Sequence, residues 1–326
     1  MIDILTGAVA TPPYADFVLP HWRKARARGL RCAILTIIGN NGSAPRPVGS
    51  QLAVGEDGSA LGLLSGGCIE ASLVRDAVRA IHGGRNHVER YGAGSRFIDL
   101  RLPCGSGIDI YFDVTMPDAI GEGILAAREQ RRPVTVLLDV ENHRHRLVQG
   151  PVQGMAQEAS GGLFARRYLP ACRLVMAGSG AILLTLAQLC RASEIDAEAV
   201  TTDRATADAL EAAGFPVRHL SRWASGDWTG FDPWTGLVIL SHEHDDEAEI
   251  LIPALSGDAF YIGALGSRRT HEARCRTLRA AGIDDAVIAR VKGPVGLPIG
   301  AASPPEIAIS ILAELIDHWR KGPARR

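Results

Sequence analysis

A thiol and a carboxylate lie close together in the segment Ser65-Gly66-Gly67-Cys68-Ile69-Glu70. The two glycines let the chain turn without a Cβ penalty. A helix is predicted directly after the turn, because apolar residues recur on one face at every fourth position: Ile69, Leu73, Ala77 and Ile81. Cys68 therefore lies at or just before a helix N-terminus, where free N–H groups and the helix dipole favour an anion. The segment predicts a seat for an anionic or soft ligand; the alternative is a turn followed by a small buried thiol.

Two further segments of the first half carry residues suited to the same chemistry. Arg46 is held between two prolines in the loop 40–49, so its reach is restricted. It is presented either to an anion such as phosphate or to solvent. Cys104 and Gly105 lie in a second glycine-rich turn, residues 101–107.

The second half contains part of a dinucleotide-binding fingerprint. Gly178 and Gly180 follow a predicted strand and open a helix, and Asp203 ends the next strand. Such glycines let the backbone approach a phosphate, and the acid accepts hydrogen bonds from ribose hydroxyls. The third glycine position holds Leu183, so the fingerprint is incomplete. We therefore expect a Rossmann-type domain, with a nucleotide site that is vestigial or has another use.

Two other strand ends in this half carry charged residues. Arg268 and Arg269 open a helix after the glycine-containing turn 263–267, which indicates either an anion site or two solvated arginines. The run 241–246 contains two histidines and three acids. These residues either hold a divalent metal or cap a helix, and we favour the cap.

These residues must be positioned by two different kinds of domain. In the first half we expect an opening helix over 14–28, a strand ending at Leu64, a hairpin at Asp57-Gly58 and further mixed strands and helices. The second half alternates strand and helix, as in a doubly wound parallel sheet, and Ser303 to Glu306 form a capping box before the last helix. The predicted fold is α/β: an N-terminal mixed α+β domain over 1–160, then a Rossmann-like doubly wound parallel sheet domain over 161–326.

Composition excludes several classes of function. The 326 residues carry a formal net charge of −1, which argues against broad electrostatic capture of nucleic acid or a membrane surface. The six cysteines are far apart and form no C-x-x-C pair, so a zinc or iron–sulfur site is not expected. No signal segment and no apolar run long enough to span a bilayer is present, and we expect a cytoplasmic protein.

Several segments together resemble one family. They are 42–49, 65–70, Pro103-Cys104-Gly105, 261–268 and 293–300. In this order they resemble the XdhC/CoxI family, the accessory proteins of xanthine dehydrogenase and related molybdenum hydroxylases. The resemblance runs from about residue 30 to about residue 315. One departure is that the second turn reads Cys104-Gly105-Ser106, where the family pattern resembles Cys-Gly-Gly.

The resemblance implies a function without substrate turnover. Proteins of this family bind molybdenum cofactor (molybdopterin, in a mononucleotide or dinucleotide form). They protect it while its sulfido ligand is installed, and hand it to a xanthine dehydrogenase-type molybdenum hydroxylase. They work with a cysteine desulfurase and are often homodimers. The resemblance assigns the metal neither to Cys68 nor to Cys104.

We expect the cofactor to bind in a cleft between the two domains. The first domain would contribute Arg46, Ser65, Gly66, Gly67, Cys68, Glu70, Cys104 and Gly105. The second would contribute Gly178, Gly180, Asp203 and Arg268. The alternatives are an NAD(P)-dependent oxidoreductase and a regulatory module that senses a nucleotide without chemistry.

Overall fold

The chain divides by its internal contacts into two units, Met1–Pro170 and Ala171–Arg326. The structure is a computed structural model, which describes residues 15–42, 44, 46–95, 107–150, 162–241 and 246–322. Each unit is built on its own sheets. The last strand of the first unit, β8, comprises Leu163–Tyr168 and pairs with a strand of that unit.

A five-stranded antiparallel sheet forms the first part of unit 1, in the order β3-β2-β1-β5-β4. Its strands are β1 Cys32–Asn41, β2 Gln51–Gly55, β3 Ala60–Gly62, β4 His87–Gly92 and β5 Gly107–Asp113. The hairpin predicted at Asp57-Gly58 is confirmed, because β2 and β3 pair across it. Helix α2, Glu70–Gly83, buries Leu73, Ala77 and Ile81 against this sheet, which confirms the predicted apolar face.

A three-stranded sheet in the order β7-β6-β8 completes unit 1, with β6 at Val134–Asp139 and β7 at Arg144–Gln149. Helices α1, Leu19–Ala27, and α3, Asp118–Glu129, pack against each other. The predicted opening helix over 14–28 starts too early, since residues 15–18 are not helical and α1 begins at Leu19. Pro20 lies in the first turn of α1, and a proline ring there clashes with a helical residue four positions earlier.

Unit 2 is a six-stranded parallel sheet in the order β11-β10-β9-β12-β13-β14. Its strands are β9 Arg173–Gly178, β10 Asp196–Thr201, β11 Val217–His219, β12 Thr235–Leu240, β13 Tyr261–Ala264 and β14 Val291–Lys292. Its helices are α4 Gly180–Ala192, α5 Arg204–Ala212, α6 Ala248–Ser256, α7 Arg268–Ala280, α8 Asp285–Ile288 and α9 Pro304–Lys321. The strand order reverses between β9 and β12, as in a Rossmann sheet, and confirms the predicted doubly wound fold.

Both faces of this parallel sheet are covered by apolar side chains. Along β9, Leu174 and Met176 belong to one buried cluster, and Val175 and Ala177 belong to the cluster on the opposite face. A strand buried on both faces reads as a continuous apolar run, which is why β9 was recognisable in the sequence. The predicted capping box is also present, since Glu306 accepts hydrogen bonds from the Ala302 and Ser303 N–H groups at 2.9 Å each.

Among the residues that the structure describes, no helix is both long enough and apolar enough to cross a membrane.

We expect Gly178→Ala to destabilise unit 2 more than Gly180→Ala. A Cβ on Gly178 would lie 2.5 Å from the backbone carbonyl carbon of Leu240, its partner in β12, and the residue has a φ of +151°. Gly180 has a φ of +82°, but a Cβ added there would have none of the described atoms within 4 Å. The expected costs are about 3 kcal/mol for Gly178→Ala, from forced separation of strands, and about 1 kcal/mol for Gly180→Ala, from backbone strain.

Urea unfolding followed by tryptophan fluorescence measures this difference. Four of the five tryptophans lie in unit 2, at positions 223, 228, 234 and 319, so the signal reports chiefly on that unit. Equal losses of stability in the two variants would contradict the close strand contact at Gly178.

Candidate functional site

The carboxylate of Glu70 lies fully buried inside the turn that precedes α2. Its Oε1 accepts hydrogen bonds from the N–H groups of Leu64 at 3.0 Å and Ser65 at 2.7 Å. Its Oε2 accepts from the Ser65 hydroxyl at 2.5 Å and from the N–H groups of Gly67 at 2.9 Å and Ile69 at 3.3 Å. One side chain therefore fixes the backbone from residue 64 to residue 69.

This arrangement corrects the prediction of an anion seat at these amides. The N–H groups do gather around an anion, but that anion is the carboxylate of Glu70 itself. Burial would raise the pKa of Glu70, but the hydrogen bonds from Ser65 and from the Leu64 N–H outweigh it and hold the pKa below its ordinary value. Glu70 is therefore an ionised positioning residue, and an external oxyanion would have to compete with it for the same donors.

The glycines at the tip of the turn have the conformations that the sequence required. Gly66 and Gly67 have φ values of +81° and +111°, in the left-handed region that favours glycine. A Cβ on Gly66 would meet none of the described atoms within 4 Å, so the space beside it is open to that extent. A ligand can approach the backbone closely at this point.

Cys68 is exposed and its thiol is free, so the alternative of a buried thiol is wrong. The predicted end of the preceding strand also needs correction. Strand β3 ends at Gly62, because the N–H groups of Leu64 and Ser65 donate to Glu70 and not to a neighbouring strand. The turn thus holds Cys68 outward, on a backbone that is fixed from the inside.

The other predicted residues of the first half are placed differently. The Arg46 guanidinium donates a hydrogen bond to the carboxylate of Asp16, thirty residues earlier, so its charge is compensated within the unit. Its binding to a phosphate stays a prediction. Cys104 and Gly105 lie outside the described residues, as do His242 to Asp245 of the histidine- and acid-containing run.

In unit 2 a threonine that sequence reasoning missed connects two of the predicted residues. The Gly180 N–H donates to the Thr206 hydroxyl at 3.1 Å, and that hydroxyl donates to Asp203 Oδ2 at 2.6 Å. The Thr206 N–H donates to the same oxygen at 2.8 Å, which makes Asp203 the N-cap of α5. The signal was available, because an Asp three residues before a Thr at a helix start is a capping pattern.

These contacts alter what Gly180 and Asp203 can do. The side-chain and backbone hydrogen bonds from Thr206 lower the pKa of Asp203, so its carboxylate is ionised. One of its oxygens and the Gly180 N–H are already used inside the protein. Leu183, at the third position of the fingerprint, is fully buried in the core and occupies the space that a glycine would leave between helix and strand.

Arg268 is the first residue of α7 and is exposed. The helix is capped by Ser267, whose hydroxyl accepts the Thr270 N–H at 3.1 Å. Among the residues described, Arg268 forms no ion pair, so its charge is available to an anion. Over the same residues, no group of three or more His, Cys, Asp or Glu side chains is arranged to hold a metal ion.

Comparison with known proteins gives two family matches. Residues 174–315 match the XdhC Rossmann domain, and residues 25–92 match the XdhC and CoxI family. The chain is 30% identical over 292 residues to the molybdenum cofactor insertion chaperone PaoD of Escherichia coli K12, covering 90% of this chain and 85% of that protein. It is 26% identical over 324 residues to a probable xanthine dehydrogenase subunit of Bacillus subtilis 168, covering 88% and 93%.

A solved structure shares the fold. A crystal structure described as a xanthine dehydrogenase from Bacillus halodurans superposes with a TM-score of 0.74 at 22% identity, and covers 93% of this chain and 96% of that one. At this identity the match shows a common fold and carries no statement about activity.

We expect Glu70→Gln to destabilise the turn by about 3 kcal/mol, since several hydrogen bonds to a buried charge are weakened together. The effect should depend on pH. The pKa of Glu70 is lower in the folded protein than the value of about 4.3 for an unperturbed glutamate, so the ionised form stabilises the fold above that pH. This contribution is lost as the pH falls through the folded pKa, and Gln cannot titrate. The difference between wild type and variant should therefore be full at pH 7 and shrink below about pH 4.

Thermal unfolding at several pH values, together with hydrogen exchange of a peptide covering residues 64–70, measures this effect. Ser65→Ala serves as the control, because it removes one hydroxyl donor and leaves the titrating carboxylate in place. A Glu70→Gln penalty that is the same at pH 3 and pH 7 would argue against the ionised, buried carboxylate.

Proposed function

The chain belongs to the XdhC and CoxI family, and we propose that it is an accessory protein that binds molybdenum cofactor and hands it on without turning over a substrate. The observation that carries this proposal is the 30% identity to a molybdenum cofactor insertion chaperone over 90% of the chain. The match includes both units, so it does not rest on a shared Rossmann sheet. The exposed thiol of the 65–70 turn adds a chemical reason.

The chemistry of the cargo can be compared with the residues present. Molybdenum cofactor carries a soft, sulfur-bound metal and a phosphate. A thiolate is a suitable ligand for a soft metal, and Cys68 is exposed beside the open space at Gly66. The phosphate fits this turn poorly, because the amides that would receive it donate to Glu70. We infer that Cys68 binds near the metal of the cofactor and that an arginine binds its phosphate.

Arg268 is the better supported of the two predicted arginines for that role. It lies at the N-terminus of a 13-residue helix, where the helix dipole also favours an anion. Arg46 already faces the carboxylate of Asp16, which a phosphate would have to displace. That both halves of the chain contribute residues to the cofactor stays a prediction.

The hydrogen bonds in unit 2 bear on the form of the cofactor. A dinucleotide form would bring a second phosphate and a ribose, for which Gly178, Gly180 and Asp203 were the predicted partners. Gly178 is required by the approach of β12, and Gly180 and Asp203 are joined through Thr206. A mononucleotide form requires no change in these contacts, and we propose it as the form that is bound.

An NAD(P)-dependent oxidoreductase is the second candidate, and the observation in its favour is the strand order of the six-stranded sheet. Leu183 fills the space of the third fingerprint glycine, and the Asp203 carboxylate caps α5. Both features weaken binding of the pyrophosphate and the ribose. Analysis of the molecules that copurify with the protein distinguishes the two candidates, because a bound nicotinamide without pterin would favour the oxidoreductase.

The first experiment is purification from a host that makes molybdenum cofactor, followed by metal and pterin analysis. We expect pterin to copurify with the wild-type protein, and Cys68→Ala to retain roughly tenfold less, the loss that accompanies about 1.4 kcal/mol of binding free energy. Cys32→Ala is the matched control. Burial raises the pKa of Cys32 to about 12, so that thiol stays protonated and is no ligand. Equal retention by the two variants would remove Cys68 from the site.

The second experiment addresses sulfuration and delivery. We propose that the loaded protein receives sulfur with the help of a cysteine desulfurase, transfers the cofactor to a xanthine dehydrogenase-type molybdenum hydroxylase, and acts as a homodimer. In a mixture of these components, the wild-type protein should activate the apoenzyme several-fold faster than an equal amount of free cofactor. Cys68→Ala should lose that advantage while Cys32→Ala keeps it. Analytical ultracentrifugation of the purified protein measures its mass and so tests the proposed homodimer. Activation at the rate of free cofactor would contradict a role in delivery.

A further inference from the structure

A cleft of about 320 Å³ lies between helices α6 and α7 of unit 2. Its apolar wall includes Leu251 of α6 and Leu278 of α7. Three charged residues also line it, namely Glu247, Arg269 and Arg274. Helices α6 and α7 follow strands β12 and β13, whereas Gly180 and Asp203 follow strands β9 and β10. The cleft is therefore formed by other elements than those that carry the dinucleotide-binding fingerprint.

A buried ion pair forms part of the lining. The Arg274 and Glu247 side chains are each 3% exposed, with Arg274 Nε 2.6 Å from Glu247 Oε2. Arg274 Nη2 donates to Glu247 Oε1 at 3.1 Å and to the Leu265 carbonyl at 2.8 Å. Nη1 is buried and has no hydrogen-bond partner among the described residues. A buried donor without an acceptor is costly, so this nitrogen is expected to have a partner when the site is in use.

The charges of the lining favour an anion. Two arginines face one glutamate, and the glutamate is already paired with Arg274. Arg269 is exposed and forms no ion pair with any residue in the described part of the chain. Thr270 and Thr277 of the same helix also line the cleft, but their hydroxyls already have partners. The Thr270 hydroxyl lies 3.0 Å from the Ser267 hydroxyl, and the Thr277 hydroxyl donates to the Ala273 carbonyl at 3.3 Å, so the arginines are the donors that an anion would meet.

We propose that this cleft binds a small organic anion, whose oxyanion group contacts Arg269 and, once the lining side chains shift to uncover it, Nη1 of Arg274, and whose apolar body lies against Leu251 and Leu278. The volume is at the lower end of the range for small-molecule sites, which suits a ligand of one ring or a short chain. The oxyanion is a phosphate or a carboxylate, because an arginine fork binds both. This site does not depend on the proposed cofactor function.

Titration calorimetry with defined probes tests the site on the full-length protein. The probes are phenyl phosphate, phenylacetate and benzyl alcohol, which share the ring and differ in the polar group. Binding of only phenyl phosphate or only phenylacetate identifies the oxyanion that the site accepts, and binding of both shows that it accepts phosphates and carboxylates. Each of these results supports the proposal. Benzyl alcohol should bind at least tenfold more weakly than the better anion. Failure of both anions to bind at millimolar concentration, or equal binding of the neutral alcohol, would overturn it.

Variants then locate the binding. Arg269→Gln should weaken the better anion about tenfold, and Ala273→Phe should abolish binding, since Ala273 is an exposed residue of the lining and a ring there fills the cleft. Arg276→Gln is the matched control, because Arg276 is exposed on the same helix and is not part of the lining. Arg274 itself is left unchanged, because its replacement would leave the buried carboxylate of Glu247 without its ion-pair partner and destabilise the fold. An equal effect of Arg269→Gln and Arg276→Gln would place the binding elsewhere.

Discussion

The buried carboxylate of Glu70 is the interaction on which the 65–70 turn depends. A charge that is removed from water is tolerated only when hydrogen bonds replace the lost solvation. Here the donors come from residues 64 to 69, so satisfying the charge also fixes the backbone. A backbone bent around one carboxylate needs left-handed residues at its tip, which Gly66 and Gly67 provide. The exposed position of Cys68 is the consequence of this chain of requirements.

The same principle separates structural from binding groups in unit 2. Asp203 and Thr206 satisfy each other, and Thr206 also accepts from the Gly180 N–H, so these groups stabilise the start of α5. Arg274 and Glu247 satisfy each other in part, and within the described residues one guanidinium nitrogen is left over. A polar cluster whose members bond to one another serves the fold. A cluster that leaves a buried donor without an acceptor beside a cleft can receive a ligand.

Periodic patterns predicted the elements well, because burial on one or two faces leaves a direct trace in the sequence. The apolar face of α2, the continuous strand β9 and the capping box of α9 are examples. The start of α1 was predicted too early because a proline such as Pro20 restricts the residues before it, which apolar periodicity does not register. The candidate site was predicted as a set of residue types, but not as a set of contacts. The pairing of Arg46 with Asp16, and the burial of the Glu70 carboxylate in its own turn, depend on tertiary geometry that residue spacing does not contain.

The construction of this turn can be compared with the proposed role of handing on a bound cofactor. Because Glu70 already orders the loop, the backbone need not rearrange when a ligand meets Cys68 or leaves it, and little conformational entropy is lost on binding. Because Glu70 also holds the amides, the loop offers the ligand a thiol without a strong oxyanion trap. A catalytic Rossmann site instead requires amides and a carboxylate that are free to bind a dinucleotide. In unit 2 the corresponding groups, the Gly180 N–H and Asp203, are joined to each other through Thr206. The internal hydrogen bonds of both units therefore support the proposal that the protein holds a cofactor transiently and does not retain it for catalysis.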